Sequence, residues 1–300
     1  MSHMTPQAIL GSSRRIVLKI GTETIIKDGR VHTEWLNSFA EGIAALKQQE
    51  KEVIVVTSGA IGLGRGKLGI DPTIATKDLP MPVKQQAAMV GQTSLMLAFS
   101  QALERQDLLV GQVLLTADVT EHFEQVANLR NACLSSLDQS LSPRVIPVVN
   151  ENDTIATSEI AYGDNDKLGA IVTNILEADT FVLFSDVDGL YNDNPKTNPA
   201  ASLISNVVYL NTVWKYAHDD LDGLSRGGMT SKLKAIEFVG MPRRGAGGCT
   251  KRGATAILAR GKDSIGCLQA LMSSNDKETA RCTVFMPAPL PLSDNLRFNL

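Results

Sequence analysis

Four short stretches carry side chains that could do chemistry, and each follows an apolar run. Lys19 sits near the end of "RIVLKI", just ahead of Gly21, and Ser58-Gly59-Ala60 comes after "VIVVT". Asn150-Glu151-Asn152-Asp153 follows "VIPVV", and Ser185-Asp186 follows "FVLF". A further polar knot, Asp164-Asn165-Asp166, opens an apolar helical pattern, and "GGMTSKLKA" (227–235) sets Gly227 and Gly228 ahead of another. An ammonium beside a glycine whose backbone N–H groups are free suits a phosphate, and by itself the same pattern also reads as a surface lysine beside a turn glycine. The hydroxyl of Ser58 and the N–H groups of Gly59 and Ala60 suit a carboxylate or a phosphate at a strand-to-helix turn.

Asp and Asn favour helix N-caps, and negative charge suits that end of a helix. One residue meets that need. Three in succession, facing the cluster at 150–153, point to a ligand. Lys232 raises the converse question, because a cation in the first turn opposes the macrodipole. A bound anion explains it, whereas Lys234 reads as part of a solvated face. Gly64, Gly66 and Gly69 spell G-x-G-x-x-G, but too far past the strand end for a dinucleotide turn, and Leu68 after Lys67 spoils a Walker A loop. These later glycines are expected to form a loop.

The elements that must position these groups are legible as six apolar runs: 16–20, 53–56, 109–115, 145–149, 181–184 and 256–259. Most are apolar on consecutive positions, as a sheet covered on both faces requires. Helical patterns lie between them: Trp35, Phe39, Ile43 and Leu46; 83–105; Leu168, Ile171, Val172, Ile175 and Leu176; and the stretch after Gly228. Alternating strands and helices predict an α/β fold, with helices on both faces of an open, mostly parallel sheet. In such a sheet the four chemical stretches meet on one rim, outside the carboxyl ends of the strands.

The 300 residues are 43% hydrophobic, with a formal net charge of -3. That balance gives no reason to expect nucleic acid or a membrane as a partner. The four cysteines lack C-x-x-C spacing and the histidines lack metal-site spacing, which predicts a reduced, cytoplasmic protein with no metal site of its own. Residues 1–13 are expected to be a disordered extension, 14–286 the folded domain and 287–300 an irregular tail. Residues 187–226 are expected to carry a hairpin or lobe over the sheet edge. The basic, glycine-rich 241–253 reads as a mobile surface insertion rather than an RNA contact.

Taken in order, "VLKIGTETI", "VTSGAIGLG", "IPVVNENDTIA", "YGDNDKLGA", "LFSDVDGLYNDNP" and "GGMTSKLKA" resemble the amino acid kinase family, and within it the glutamate 5-kinase branch. The resemblance spans about 14–286 and implies a three-layer α/β/α sandwich. It implies phosphorylation of the L-glutamate side-chain carboxylate by ATP, the first step toward proline, with Mg²⁺ arriving on the nucleotide. By motif, Lys19 and Lys232 would hold the ATP phosphates, with Asp166 positioning both. Ser58, Asp153 and Asn165 would bind glutamate. Gly21, Ser185, Asp186 and the stretch Arg226, Gly227, Gly228, Met229 to Lys232 would line the nucleotide site. A homo-oligomer (dimer or tetramer), feedback by proline and a separate glutamyl phosphate reductase are implied as well.

Three departures stand out. Glu23 replaces a small serine, Arg226 stands bulky in the nucleotide loop, and the PUA module of many bacterial members is not expected here. The rivals are a kinase of the same family acting on N-acetylglutamate, aspartate, carbamate or UMP, and a non-catalytic amino-acid sensor.

Overall fold

Strands buried on both faces organise this chain. The computed structural model describes residues 4–138, 140, 144–156, 165–195, 197–217, 228–244, 250–274 and 280–289. In chain order come α1 (Pro6–Ser12), β1 (Arg15–Ile20), α2 (Thr22–Ile25), the hairpin β2 (Ile26–Lys27) and β3 (Arg30–Val31), and α3 (Thr33–Gln48). They are followed by β4 (Glu52–Val56), α4 (Ala60–Lys67), α5 (Met81–Glu104), β5 (Leu108–Leu115), α6 (Phe123–Ser136) and β6 (Arg144–Glu151). Next are α7 (Asn165–Ile175), β7 (Thr180–Ser185), β8 (Asn206–Val207) and α8 (Met229–Gly240). The last are β9 (Arg243–Arg244), β10 (Thr250–Lys251), β11 (Thr255–Arg260), α9 (Cys267–Met272) and β12 (Cys282–Phe285).

The main sheet runs β5-β6-β4-β1-β7-β11-β12-β8. Its first six strands are parallel, and they are the six apolar runs. β12 is antiparallel to β11, and β8 pairs parallel with β12. Successive side chains of a strand face opposite layers. Ile16, Leu18 and Ile20 therefore join one core, with Trp35, Phe39 and Ile43 of α3 and Leu95 and Phe99 of α5. Val17 joins the other, with Leu168 and Val172 of α7 and Leu233 and Ile236 of α8. Lys19 shares the parity of Val17, so its side chain is delivered to the α7–α8 layer.

Trp35 and Phe39 stack with centroids 4.9 Å apart, and Phe39 meets Phe184 edge-on at 5.8 Å. Truncating either α3 ring to Ala would cost about 3–5 kcal/mol. The Trp35 indole N–H also donates to the Gly261 carbonyl at 2.8 Å, which ties α3 to the loop after β11.

Three expectations need correction. The extension is not disordered where it is described: Thr5 caps α1, Pro6 opens it, and Ile9 and Leu10 are buried. Ser13 then meets Thr180 at 2.6 Å. Two large apolar residues, Ile9 and Leu10, in seven are too few to show a helical period. Of the later glycines only Gly69 lies in a turn, as expected, whereas Gly64 and Gly66, with Gly62, lie within α4. A Cβ on Gly64 would stand 1.8 Å from the Ala87 carbonyl oxygen, and one on Gly91 would stand 1.7 Å from that of Ala60. These glycines let α4 and α5 cross backbone to backbone.

The 241–253 insertion is partly ordered as the antiparallel pair β9–β10, with 245–249 outside the described residues. Arg243 anchors it by donating to the carbonyls of Thr173 at 3.2 Å and Ala178 at 2.6 Å. The 187–226 region contributes β8 and a bridge between Tyr191 and Leu203, while 218–227 lies outside the described residues. So does most of the tail, from residue 290. Among the described residues no helix is long and apolar enough to cross a membrane.

Candidate active site

Lys19, one residue from the end of β1, is 2% exposed, and Asp166 in the first turn of α7 is fully buried. The Asp166 carboxylate is shared between two ammonium groups. Its Oδ1 pairs with Lys19, and its Oδ2 lies 3.4 Å from Nζ of Lys232 in the first turn of α8. α7 can come this close because of Gly169. A Cβ there would stand 2.9 Å from the Phe181 ring and 3.4 Å from Cγ of Lys19. Three charges from three elements thus meet between strand and helix, two positive and one negative. Two ammonium groups held together at the strand ends suit an anion at the rim.

Beside this triad runs a ladder of carboxamides. Asn165 donates through Nδ2 to the Thr57 carbonyl, and to Oδ1 of Asn150 at 2.8 Å. Asn150 in turn donates to Gln92 of α5 at 2.8 Å. Both N–H groups of Asn165 are thereby engaged, which leaves its carbonyl oxygen as the group able to meet a ligand. That oxygen takes no hydrogen bond from the described residues, and such an acceptor suits an ammonium. Ser58 donates to the Ile20 carbonyl at 3.3 Å and accepts from Thr22 at 3.1 Å, which fixes its hydroxyl next to the β1 turn. Gly59 has φ of +113°, a conformation that side-chain-bearing residues avoid, and Ala60 starts α4. Asp153 is half-buried in the turn after β6.

On the other side of β1, Gly21 caps α2, and a Cβ there would be 3.9 Å from the Lys19 ammonium. Ser185 donates to Asp186 at 2.9 Å at the end of β7. Gly228 caps α8 with backbone alone, and Met229 is its first residue. Arg226, Gly227 and Asp164 lie outside the described residues. The fold therefore brings Lys19, Asp166 and Lys232 into direct contact. It sets Ser58, Gly59, Ala60, Asp153 and Asn165 on one flank, and Gly21, Ser185, Asp186, Gly228 and Met229 on the other.

Sequence reasoning gives no individual role to three features of this rim. Asn150 reads only as part of the 150–153 cluster, and its partner Gln92 is passed over inside a helical pattern. Glu151 is 8% exposed, and its Oε1 has no hydrogen-bond partner among the described residues. Burial, then the charges of Asp153 and Asp118, push its carboxyl up to about 7, against the Ala117 N–H and Lys167. Lys262 pairs with Glu23 at 2.7 Å, and that hydrogen bond raises its pKa. The backbone N–H groups of Gly261 and Lys262 donate to the Ser185 carbonyl at 2.7 and 3.1 Å, so this lysine lies on the flank of Ser185 and Asp186. Glu23, a departure from the motif, is what holds it.

Among the described residues no group of three His, Cys, Asp or Glu side chains could hold a metal ion. Asp166, the fully buried carboxylate of the rim, is engaged by both lysines.

The model of the amino acid kinase family matches residues 14–239. The chain is 42% identical over 234 residues to a glutamate 5-kinase of Ruegeria sp. (strain TM1040), covering 77% of this chain and 61% of that protein. It is 38% identical over 285 residues to one of Paramagnetospirillum magneticum, covering 94% and 70%. Among solved structures, UMP kinase from Ureaplasma parvum superposes with a TM-score of 0.58 at 17% identity, covering 91% of this chain and 98% of that one. Carbamate kinase from Giardia lamblia bound to AMP-PNP gives 0.56 at 13%, covering 93% and 100%. At such identities these two speak for the fold alone.

Proposed function

The chain belongs to the amino acid kinase family, and on that premise we propose that it transfers the terminal phosphoryl group of ATP to the side-chain carboxylate of L-glutamate. The products are L-glutamyl 5-phosphate and ADP, and the reaction opens the route to proline. The shared Asp166 carboxylate, with Lys19 on one oxygen and Lys232 on the other, carries this reading. The names of relatives that match most of the chain support the choice of glutamate.

The nucleophile needs no base. A glutamate side chain of pKa ~4.3 is already ionised at neutral pH. The obstacle is charge, since two unit charges 4 Å apart repel by about 4 kcal/mol at an effective dielectric of 20. Lys19 and Lys232 face that repulsion from β1 and from α8. They hold the phosphates and stabilise the charge that spreads over the transferred group. As a carboxylate oxygen bonds to the terminal phosphorus, the bond to the bridging oxygen breaks and its electron pair leaves on ADP. Asp166 keeps both ammonium groups on one line. When bound with the nucleotide, Mg²⁺ neutralises further phosphate charge.

Asp153 and the side-chain oxygen of Asn165 receive the substrate's ammonium, and Ser58 with the Gly59 and Ala60 N–H groups receives its α-carboxylate. Gly21, Ser185, Asp186, Lys262 and the α8 turn with Gly228 and Met229 line the nucleotide. A homo-oligomer, feedback by proline and a reductase that consumes the acyl phosphate belong to the same reading.

Glutamate-dependent ADP release, with hydroxylamine trapping the acyl phosphate as a hydroxamate, tests it. ADP release with N-acetylglutamate, aspartate, carbamate or UMP but not with glutamate would overturn the choice of substrate.

A further inference from the structure

A cavity of about 520 Å³ opens at the amino ends of β5 and β6, under the last turns of α3 and α5. Its walls include Lys47, Arg144, Glu104, Asp107, Leu108 and Ala44. It is not part of the catalytic rim. Arg144 opens β6 and Glu151 closes it, so the two sites stand at opposite ends of one strand, roughly 23 Å apart at 3.3 Å per residue. The volume lies in the range of small-molecule sites.

What marks this cavity is an uncompensated charge. Lys47 is 2% exposed, yet its ammonium has no hydrogen-bond or ion-pair partner among the described residues. A lysine in the last turn of a helix suits the macrodipole, which explains its type but not its burial. The carboxylate close enough to help, Glu52, is engaged elsewhere. Its Oε1 is held by Arg14 at 2.8 Å and its Oε2 by Arg15 at 2.6 Å. The neighbour on the cavity side is a second cation, Arg144, which donates to the Lys47 carbonyl at 3.2 Å. Burial, then Arg144, depress the Lys47 pKa, and Glu52 offsets them only in part. Two cations side by side at a wall of a cavity leave a place for an anion. Glu104 and Asp107 line the same cavity but are exposed, and Glu104 accepts from Ser100 at 2.6 Å. Their charge admits one anionic group at the cationic end and repels a polyanion.

We propose that this cavity binds a small molecule carrying a single carboxylate or phosphate group, seated on Lys47 and Arg144. The anion separates the two cations and supplies the counter-charge that the fold withholds. The site is independent of the reaction at the rim.

Backbone-amide NMR of the whole chain, titrated separately with inorganic phosphate and with acetate, reads the site directly. Saturable shifts at Lys47, Leu108 and Arg144 are expected with one or both anions, and the tighter of the two identifies the head group. Lys47→Met and Arg144→Gln should each weaken that binding by about tenfold or more, the loss of one charge-assisted hydrogen bond. Glutamate-dependent ADP release should stay unchanged in both. If Lys47→Met does not fold, Arg144→Gln carries the test alone. Shifts confined to the rim around Gly21 and Ser58, or shifts at Lys47 with equal affinity in the variants, would overturn the proposal.

Discussion

Lys19 and Lys47 are equally withdrawn from water, each 2% exposed, and their surroundings are opposite. Lys19 reaches a fully buried carboxylate that it shares with Lys232. Lys47 faces an arginine, and its nearest carboxylate is engaged by two others. Burying a charge is costly unless it is paired, so depth alone does not say what a lysine is for. The partner does. At the rim the fold supplies one buried carboxylate that two ammonium groups share. At the foot of β5 and β6 Glu52 offsets Lys47 only in part.

The contrast breaks most visibly on Asp166→Asn. That change removes the carboxylate that two buried ammonium groups share and should destabilise the fold by about 3–5 kcal/mol. Lys47→Met removes a charge that had no partner and should leave stability unchanged or raise it by about 1 kcal/mol. Urea midpoints of the two variants give the comparison. Losses of equal size would mean that the two lysines are held alike. Lys232→Ala comes next. It leaves Asp166 paired to Lys19, so far-UV circular dichroism should not change, while kcat falls about 10²–10³-fold for one lost electrostatic contact. A kcat near wild type would remove Lys232 from the phosphate site. Asp153→Asn is smaller and sharper: the KM for glutamate should rise by about tenfold, one charge-assisted hydrogen bond, while the KM for ATP stays. Equal changes in both would argue against an ammonium contact.

The unequal legibility of the two regions has a physical basis. The rim was readable because parallel strands buried on both faces are continuous apolar runs, and their ends bring scattered polar stretches to one edge. Lys232 was visible as a cation that a helix start does not explain, whereas Lys19 alone read as readily as a surface lysine beside a turn glycine. The family resemblance then supplied Asp166 as the residue between them. Nothing in the local pattern could show that Asn165 spends both N–H groups on Thr57 and Asn150, since those partners come from β4 and β6. The glycines of α4 misled because glycine signals a loop locally, whereas its use here depends on Ala87 and Gly91 of another helix. α1 and the four-residue β12 were too short for any period to emerge. The Lys47 cavity has no sequence signature at all. It is assembled from the ends of α3 and α5 and the starts of β5 and β6, each unremarkable alone.

Glu151 lies between these two cases and gives the finest test, because its charge depends on pH. It is buried like Lys19, but its neighbours Asp153 and Asp118 have its own sign, as Arg144 has that of Lys47. Its carboxyl is raised from 4.5 to about 7, so the folded state favours the protonated form. The contribution of this group to stability is therefore complete below pH 4.5, and is lost as pH rises through about 7. Glu151→Gln keeps the shape and cannot ionise. Relative to that variant, the wild type should lose stability between pH 5 and pH 8, and urea midpoints across this range measure the divergence. Lys167 in the first turn of α7 pulls the other way by favouring the charged form. Lys167→Met should therefore steepen the loss. Parallel curves for wild type and Glu151→Gln would show that the carboxyl is solvated, and that β6 ends in water rather than in a pocket closed around the acid.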